Sequence, residues 1–253
     1  MSTYEKIATI LACIAIVQPW FLKLYYKYFS RLKLKFIANN KIQLFYNRSG
    51  AYIQLTGAIE AKNKDVAIKN IASKIIRRSD NAEMNLSWST FPSYAFQTMG
   101  DNLLRPSEIA HPFCVESNRI APICIEFCNS DYSLSNNLEE LYIKLKEKAE
   151  KICCDSSDPE ESLCIYRAED VYKNSRDFLL ENHYWKESEY TLDIIVQFND
   201  DKKKHFKFSF LLTSNDATKI KNNISSLLDS PLLNKYQQNI VLYSPFVDIK
   251  EEI

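Results

Sequence analysis

At 253 residues the chain has the length of one large domain or one domain with an extension, taking roughly 150 residues per domain. Its 32 basic and 32 acidic side chains cancel, which argues against a strongly basic nucleic-acid binder, and 46% hydrophobic residues with 13% aromatics exclude disorder. Only Gly50, Gly57 and Gly100 occur, so neither G-x-G-x-x-G nor G-x-x-x-x-G-K can be written and glycine-loop nucleotide sites are excluded.

From Ile7 to Leu22 the chain carries no charge and reads IATILACIAIVQPWFL. A helix of that length covers about 24 Å, short of a hydrocarbon core of about 30 Å. Lys6 and Lys23 can snorkel, and Tyr4, Tyr25, Tyr26 and Tyr28 suit the headgroup levels. Residues 1–29 are therefore expected to form a membrane-anchor helix whose lipid-facing residues include Ile7, Ile10, Leu11, Ile14, Val17, Trp20 and Phe21. A cleaved signal peptide fits poorly, because Pro19-Trp20-Phe21 follow the apolar run where small residues are needed. Ile10-Leu11-Ala12-Cys13 resembles a lipobox, but too few apolar residues precede it. The remaining alternatives are a soluble protein whose first helix packs into its own core and a helix that lies in the membrane interface without spanning it.

Lys23, Lys27, Arg31, Lys33, Lys35, Lys41 and Arg48 follow with no acid until Glu60. The positive-inside rule then places the N-terminus outside and the large C-terminal part in the cytoplasm, at an inner bacterial membrane. Lys23, Lys27, Arg31, Lys33 and Lys35 are the expected membrane-surface residues, and 30–40 reads as a basic linker.

Residues 41–48 and 51–62 alternate as two strands of a hairpin, and 65–78 reads as a long bulged strand. A short strand around Trp88 precedes an expected loop from Phe91 to His111, with Pro92, Gly100 and Pro106. Residues 119–129 alternate, with Ile123, Ile125 and Phe127 on one face and Cys124, Glu126 and Cys128 on the other. Helical spacing then places Leu138, Leu141, Leu145, Ala149 and Ile152 on one stripe, and a second helical stretch covers about 160–182. Strands return at 190–198 and 205–213, where Phe206, Phe208 and Phe210 share a face, followed by a helix at 216–228 and a strand at 239–247. The expected fold of 41–253 is an antiparallel β-sandwich with a helical insertion at about 135–183.

Lys186-Glu187-Ser188-Glu189-Tyr190-Thr191-Leu192 resembles the D-x-G-x-Y-x-C start of strand F in immunoglobulin-like domains. Tyr190 matches the corner tyrosine, Lys186 stands in place of the acid, and Leu192 in place of the disulfide cysteine. Trp88 stands for the core tryptophan of such sandwiches. An anchor, a basic collar and a sandwich together resemble uncharacterised bacterial single-pass membrane proteins. That resemblance implies a scaffold or accessory subunit binding a protein partner.

Seven cysteines show no C-x-x-C, and Cys124 and Cys128 lie about 13 Å apart on one strand, too far to chelate one ion. Reduced thiols are expected, with no metal, cofactor or catalytic residue. His111 with Cys114 is the one neighbourhood that fits a thiol-dependent hydrolase, the alternative from another class. Lys202-Lys203-Lys204 reads as a solvated loop, with phosphate contact as its alternative. Asn47, Asn85 and Asn223 begin glycosylation sequons, unused in a cytoplasmic domain. The functional expectation is a non-enzymatic membrane protein whose partners are the lipid bilayer and a protein.

Overall fold

The computed structural model describes residues 2–252 apart from 29–30, 49, 94–96, 100–101, 105, 156–157 and 200. It begins with α1 (Thr3–Tyr28), whose 26 residues make a rod of about 39 Å. The helix outruns the uncharged segment because Thr3 to Lys6 and Lys23 to Tyr28 continue the same backbone, and it carries Pro19 internally. None of its apolar window, Ile7–Tyr25, is buried. The expectation that the first helix packs into the chain's own core is thereby corrected for the described residues.

Four long strands follow, β1 (Lys33–Asn47), β2 (Gly50–Lys62), β3 (Val66–Arg77) and β4 (Ala82–Pro92). The expected linker at 30–40 is, from Lys33 onward, the first half of β1. Short strands β5 (Gln97–Met99), β6 (Asn102–Leu104) and β7 (Ser107–Ile109) occupy the stretch read as a loop, and β8 (Phe113–Val115) leads to β9 (Arg119–Asn129). The insertion holds three helices, α2 (Tyr132–Asp155), α3 (Pro159–Ala168) and α4 (Asp170–Glu181). Asp158 caps α3 by accepting from the Glu160 amide at 3.0 Å, and Pro159 at the first turn needs no partner there. After β10 (Ser188–Phe198), β11 (Lys202–Leu212) and α5 (Ser214–Leu233), the last strand β12 (Phe246–Glu251) starts later than the alternation at 239–247 suggests.

The strands close into a ring in the order β4-β9-β2-β1-β12-β11-β10-β3 and back to β4, with every neighbour antiparallel. This is an eight-strand β-barrel, and the sandwich expectation, with the immunoglobulin-like fold it implied, is overturned. The closing contacts decide it: β12 bridges β1 to β11, and β3 pairs with β4 from Ala72↔Ser87 to Arg77↔Ala82. A sandwich would leave such edges apart. Inward positions are filled by Phe36, Ile42, Leu44, Ile53, Leu55 and Ile59, each buried, so the interior is a packed core.

Two glycines have definite work in the β1–β2 hairpin. Gly50 closes it with φ +89°, in the left-handed region that costs other residues dearly. Farther along, Ala38 pairs with Gly57 and Ile42 with Leu55, so Asn39, Asn40 and Lys41 bulge opposite Thr56. A Cβ at Gly57 would stand 2.5 Å from the Ile37 carbonyl oxygen, so the bulge requires a residue without one.

The two ends of the barrel differ. One is plugged by α2–α5: the Trp185 indole donates to the Phe45 carbonyl at 2.8 Å and the Tyr46 hydroxyl to the Leu179 carbonyl at 3.3 Å. At the other end, where β1 begins, β3 and β4 splay apart and β8 and β7 pair with their free edges. Trp88 fills that opening against Phe91 and Phe113, with ring centroids at 4.5 and 6.1 Å. Its role is to plug a barrel end, which replaces the assignment to a sandwich core.

Candidate functional site

The membrane-helix residues Ile7, Ile10, Leu11, Ile14, Val17, Trp20 and Phe21 are all exposed, each at 51% or more. Their apolar surface meets no other part of the described chain, and a 19-residue window with mean hydropathy 1.9 is long and apolar enough to cross a membrane. Lys23, Arg31, Lys33 and Lys35 are exposed, while Lys27 lies in α1 with its side chain outside the described part.

The barrel end beside α1 is a composite basic face assembled from four segments distant in sequence. Lys33 pairs with Lys62 across β1 and β2, and Ala61 with Arg119 across β2 and β9. The turns are tied together: Asn63 donates to the Arg31 carbonyl at 2.9 Å, Asn118 donates its amide to the Ala61 carbonyl at 2.7 Å, and Asp65 accepts from the Ser117 amide at 2.7 Å. Asn199 anchors the β10–β11 turn to Ala67 through bonds of 3.0 and 3.2 Å, and the Lys204 ammonium donates to the Leu34 carbonyl. Residues 31–35, 60–69, 116–119 and 200–204 hold ten basic and five acidic side chains. Lys62, Lys69 and Arg119 pair with Glu60, Asp201 and Glu116 at 3.1–3.2 Å.

Lys33 and Lys35 are legible in the sequence as part of a basic collar, whereas nothing local joins Lys62, Lys64, Lys69 and Arg119 to them, and Lys202-Lys203-Lys204 reads as a separate loop. Their only linear signal is a cation-rich turn, which is common. Barrel closure makes them neighbours.

The opposite end carries the contrary charge, since residues 132–183 hold twelve acidic and seven basic side chains. Within it Asp229, buried on α5, accepts from Arg167 at 2.6 and 3.1 Å and from the Tyr172 hydroxyl at 2.9 Å. Hydrogen bonding to Asp229 raises the Arg167 pKa, and burial, reinforced by Asp229, pushes Tyr172 up to about 12. A buried ion with three satisfied contacts locks α3 and α4 to α5. His183 is also buried, edge-on to Tyr46 at 4.8 Å. Neither ring nitrogen makes a well-formed hydrogen bond, although the Trp185 backbone is nearby, and burial lowers its pKa to about 4.

Tyr190 makes the corner contact: its hydroxyl donates to the Lys186 carbonyl at 2.6 Å and accepts from the Lys186 amide at 2.9 Å. Its ring stacks on Phe210 at 4.9 Å, and Arg77 packs nearby, bridged to Asp80 at 2.6 Å. That device stabilises a strand start and does not select a sandwich.

His111 and Cys114 are both exposed, and His111 directs Nδ1 to the Ile109 carbonyl at 3.0 Å. His111 instead shares a groove of about 480 Å³ with Cys124, whose thiol accepts from the Gln54 amide at 3.3 Å. Among the described residues no group of three or more His, Cys, Asp or Glu side chains is arranged to hold a metal. The Asn223 sequon is occupied internally, because its amide donates to the Tyr243 carbonyl and accepts from the Tyr243 amide, both at 2.8 Å. A second groove of about 560 Å³ lies beside β11 and β12, where Leu211 and Phe246 are more than 60% exposed.

These features define a closed antiparallel barrel with a helical cap at one end and an exposed apolar helix at the other. No family model, curated protein or solved structure matches the chain.

Proposed function

We propose that the protein is anchored in a membrane by α1 and presents its barrel and helical cap to a protein partner, as a scaffold or accessory subunit. The observation that carries this reading is the wholly exposed apolar window Ile7–Tyr25, which leaves about 28 Å of helix to be covered by something other than this chain. The barrel supports it by being rigid and packed. An acidic cap and the groove at Leu211 and Phe246 offer contacts away from the anchor.

Extraction from native membranes tests the anchor. The chain is expected to stay in the pellet through salt and alkaline carbonate and to leave it only in detergent. Release by carbonate would sink the reading. By the positive-inside rule the barrel belongs in the cytoplasm of a bacterial cell. Exposed Cys154 and Cys164 then provide a test of side. An impermeant maleimide should label them only after lysis, and labelling in intact spheroplasts would reverse the orientation. Crosslinking in the native membrane should then yield one partner reproducibly.

A further inference from the structure

We propose that the basic end of the barrel is a lipid-headgroup face that seats the barrel on anionic phospholipid, an inference that rests on the membrane reading of α1. The first ground is reach. Tyr28 ends the helix and Lys33 begins β1, five Cα steps apart, so the barrel end is held within about 18 Å of the end of the helix. Whatever the tilt of α1, this is the end of the barrel brought to the bilayer.

The second ground is charge. Around the start of β1 lie Arg31, Lys33, Lys35, Lys62, Lys64, Lys202 and Lys203, with Lys62 paired to Glu60 at 3.2 Å. The ten cations and five acids of the four segments leave an excess of positive charge. Residues 132–183 of the cap, with twelve acids against seven bases, have the opposite excess. A negative leaflet therefore attracts one end and repels the other, which orients the barrel upright as well as holding it.

The third ground is rigidity. The turns that carry these cations are fastened to one another by Asn63, Asp65, Asn118 and Asn199. Their ammonium groups are thus presented on a preformed surface, unlike those of a flexible basic tail. A screening length of about 8 Å at physiological ionic strength makes the attraction act only when the face lies close to the headgroups, which the short connector ensures.

The test uses the full chain in nanodiscs of phosphatidylcholine alone or mixed with phosphatidylglycerol, probed by acylation of lysines and mass spectrometry. Lys33, Lys35, Lys64, Lys202 and Lys203 are expected to react severalfold more slowly in the anionic discs, with Lys146 and Lys151 on the cap unchanged. Salt at about 1 M, where the screening length is about 3 Å, should abolish the difference. The variant K64E/K202E/K203E should restore the reactivity of Lys33 and Lys35 while keeping the wild-type circular dichroism. Equal rates in both discs for an inserted chain would overturn the lipid face and leave the anchor standing. A chain that fails to enter either disc would overturn the anchor; protection by anionic lipid would then still support the face, and its absence would sink both.

Discussion

His183 shows what burial does to one titratable group. With its pKa lowered to about 4 by burial, and further by the nearby Lys221, Lys186 and Arg77 charges, the folded protein keeps the ring neutral where an unfolded chain would protonate near 6.5. Below that value the unfolded state takes up a proton that the native state refuses. Stability is therefore expected to fall as pH drops from about 6.5 to about 4, by up to about 3 kcal/mol, and to stop responding to this group below that. Asp80, held down to about 2 by Arg77, acts in a lower window, its contribution being present above about 3.8 and lost below it. Urea denaturation at pH 7 and pH 4.5 should show the difference, and His183→Gln should flatten it. An unchanged pH profile in that variant would assign the loss elsewhere.

Thiol exposure is a second property settled residue by residue. Cys114, Cys154 and Cys164 are exposed while Cys124 is buried, and Cys128 is half-buried with its pKa raised by burial. Iodoacetamide on the native protein should label the first three well before the last two. Rapid alkylation of Cys124 would point to an open groove beside His111 and revive thiol chemistry there.

Among the elements, the β1–β2 hairpin is the most constrained. Gly57→Ala places a methyl against the Ile37 carbonyl in a paired region where neither strand can retreat without breaking the ladder. A loss of about 1–3 kcal/mol is expected, the usual cost of overpacking, read as a lower urea midpoint with unchanged slope. Ala58 next to it, paired with Ile37, is the natural control position. Strand β12 is the contrasting case: it meets β1 through three residue pairs and β11 through three more, so closure of the ring depends on one short strand.

The strand hairpins were legible because alternation at period two marks inward residues, and Phe206, Phe208 and Phe210 do all turn into the core. The last strand was not, since residues 239–245 alternate in composition yet carry no strand, their backbone serving Asn223 on α5 and, at Pro245, the Leu44 amide. A helix that takes up the hydrogen bonds of a segment removes it from the sheet, and no local pattern records that.

At the scale of the whole molecule, zero net charge hides a strongly polarised object, basic where α1 joins and acidic at the cap. Composition and periodicity were enough to show that α1 is apolar and helical, that the remainder is mainly antiparallel sheet with a helical insertion, and that neither glycine-loop nucleotide motif occurs in this sequence. Closure of the sheet is visible only in the folded chain. The physical reason is that a strand in a barrel and a strand in a sandwich bury the same alternate face, so their sequences share one period. What separates them is which edges meet, here β1 with β12 and β3 with β4, and edge pairing is made of backbone groups common to every residue. The same closure gathered Lys33, Lys62, Arg119 and Lys202 onto one end of the barrel, a face that no stretch of the chain contains alone.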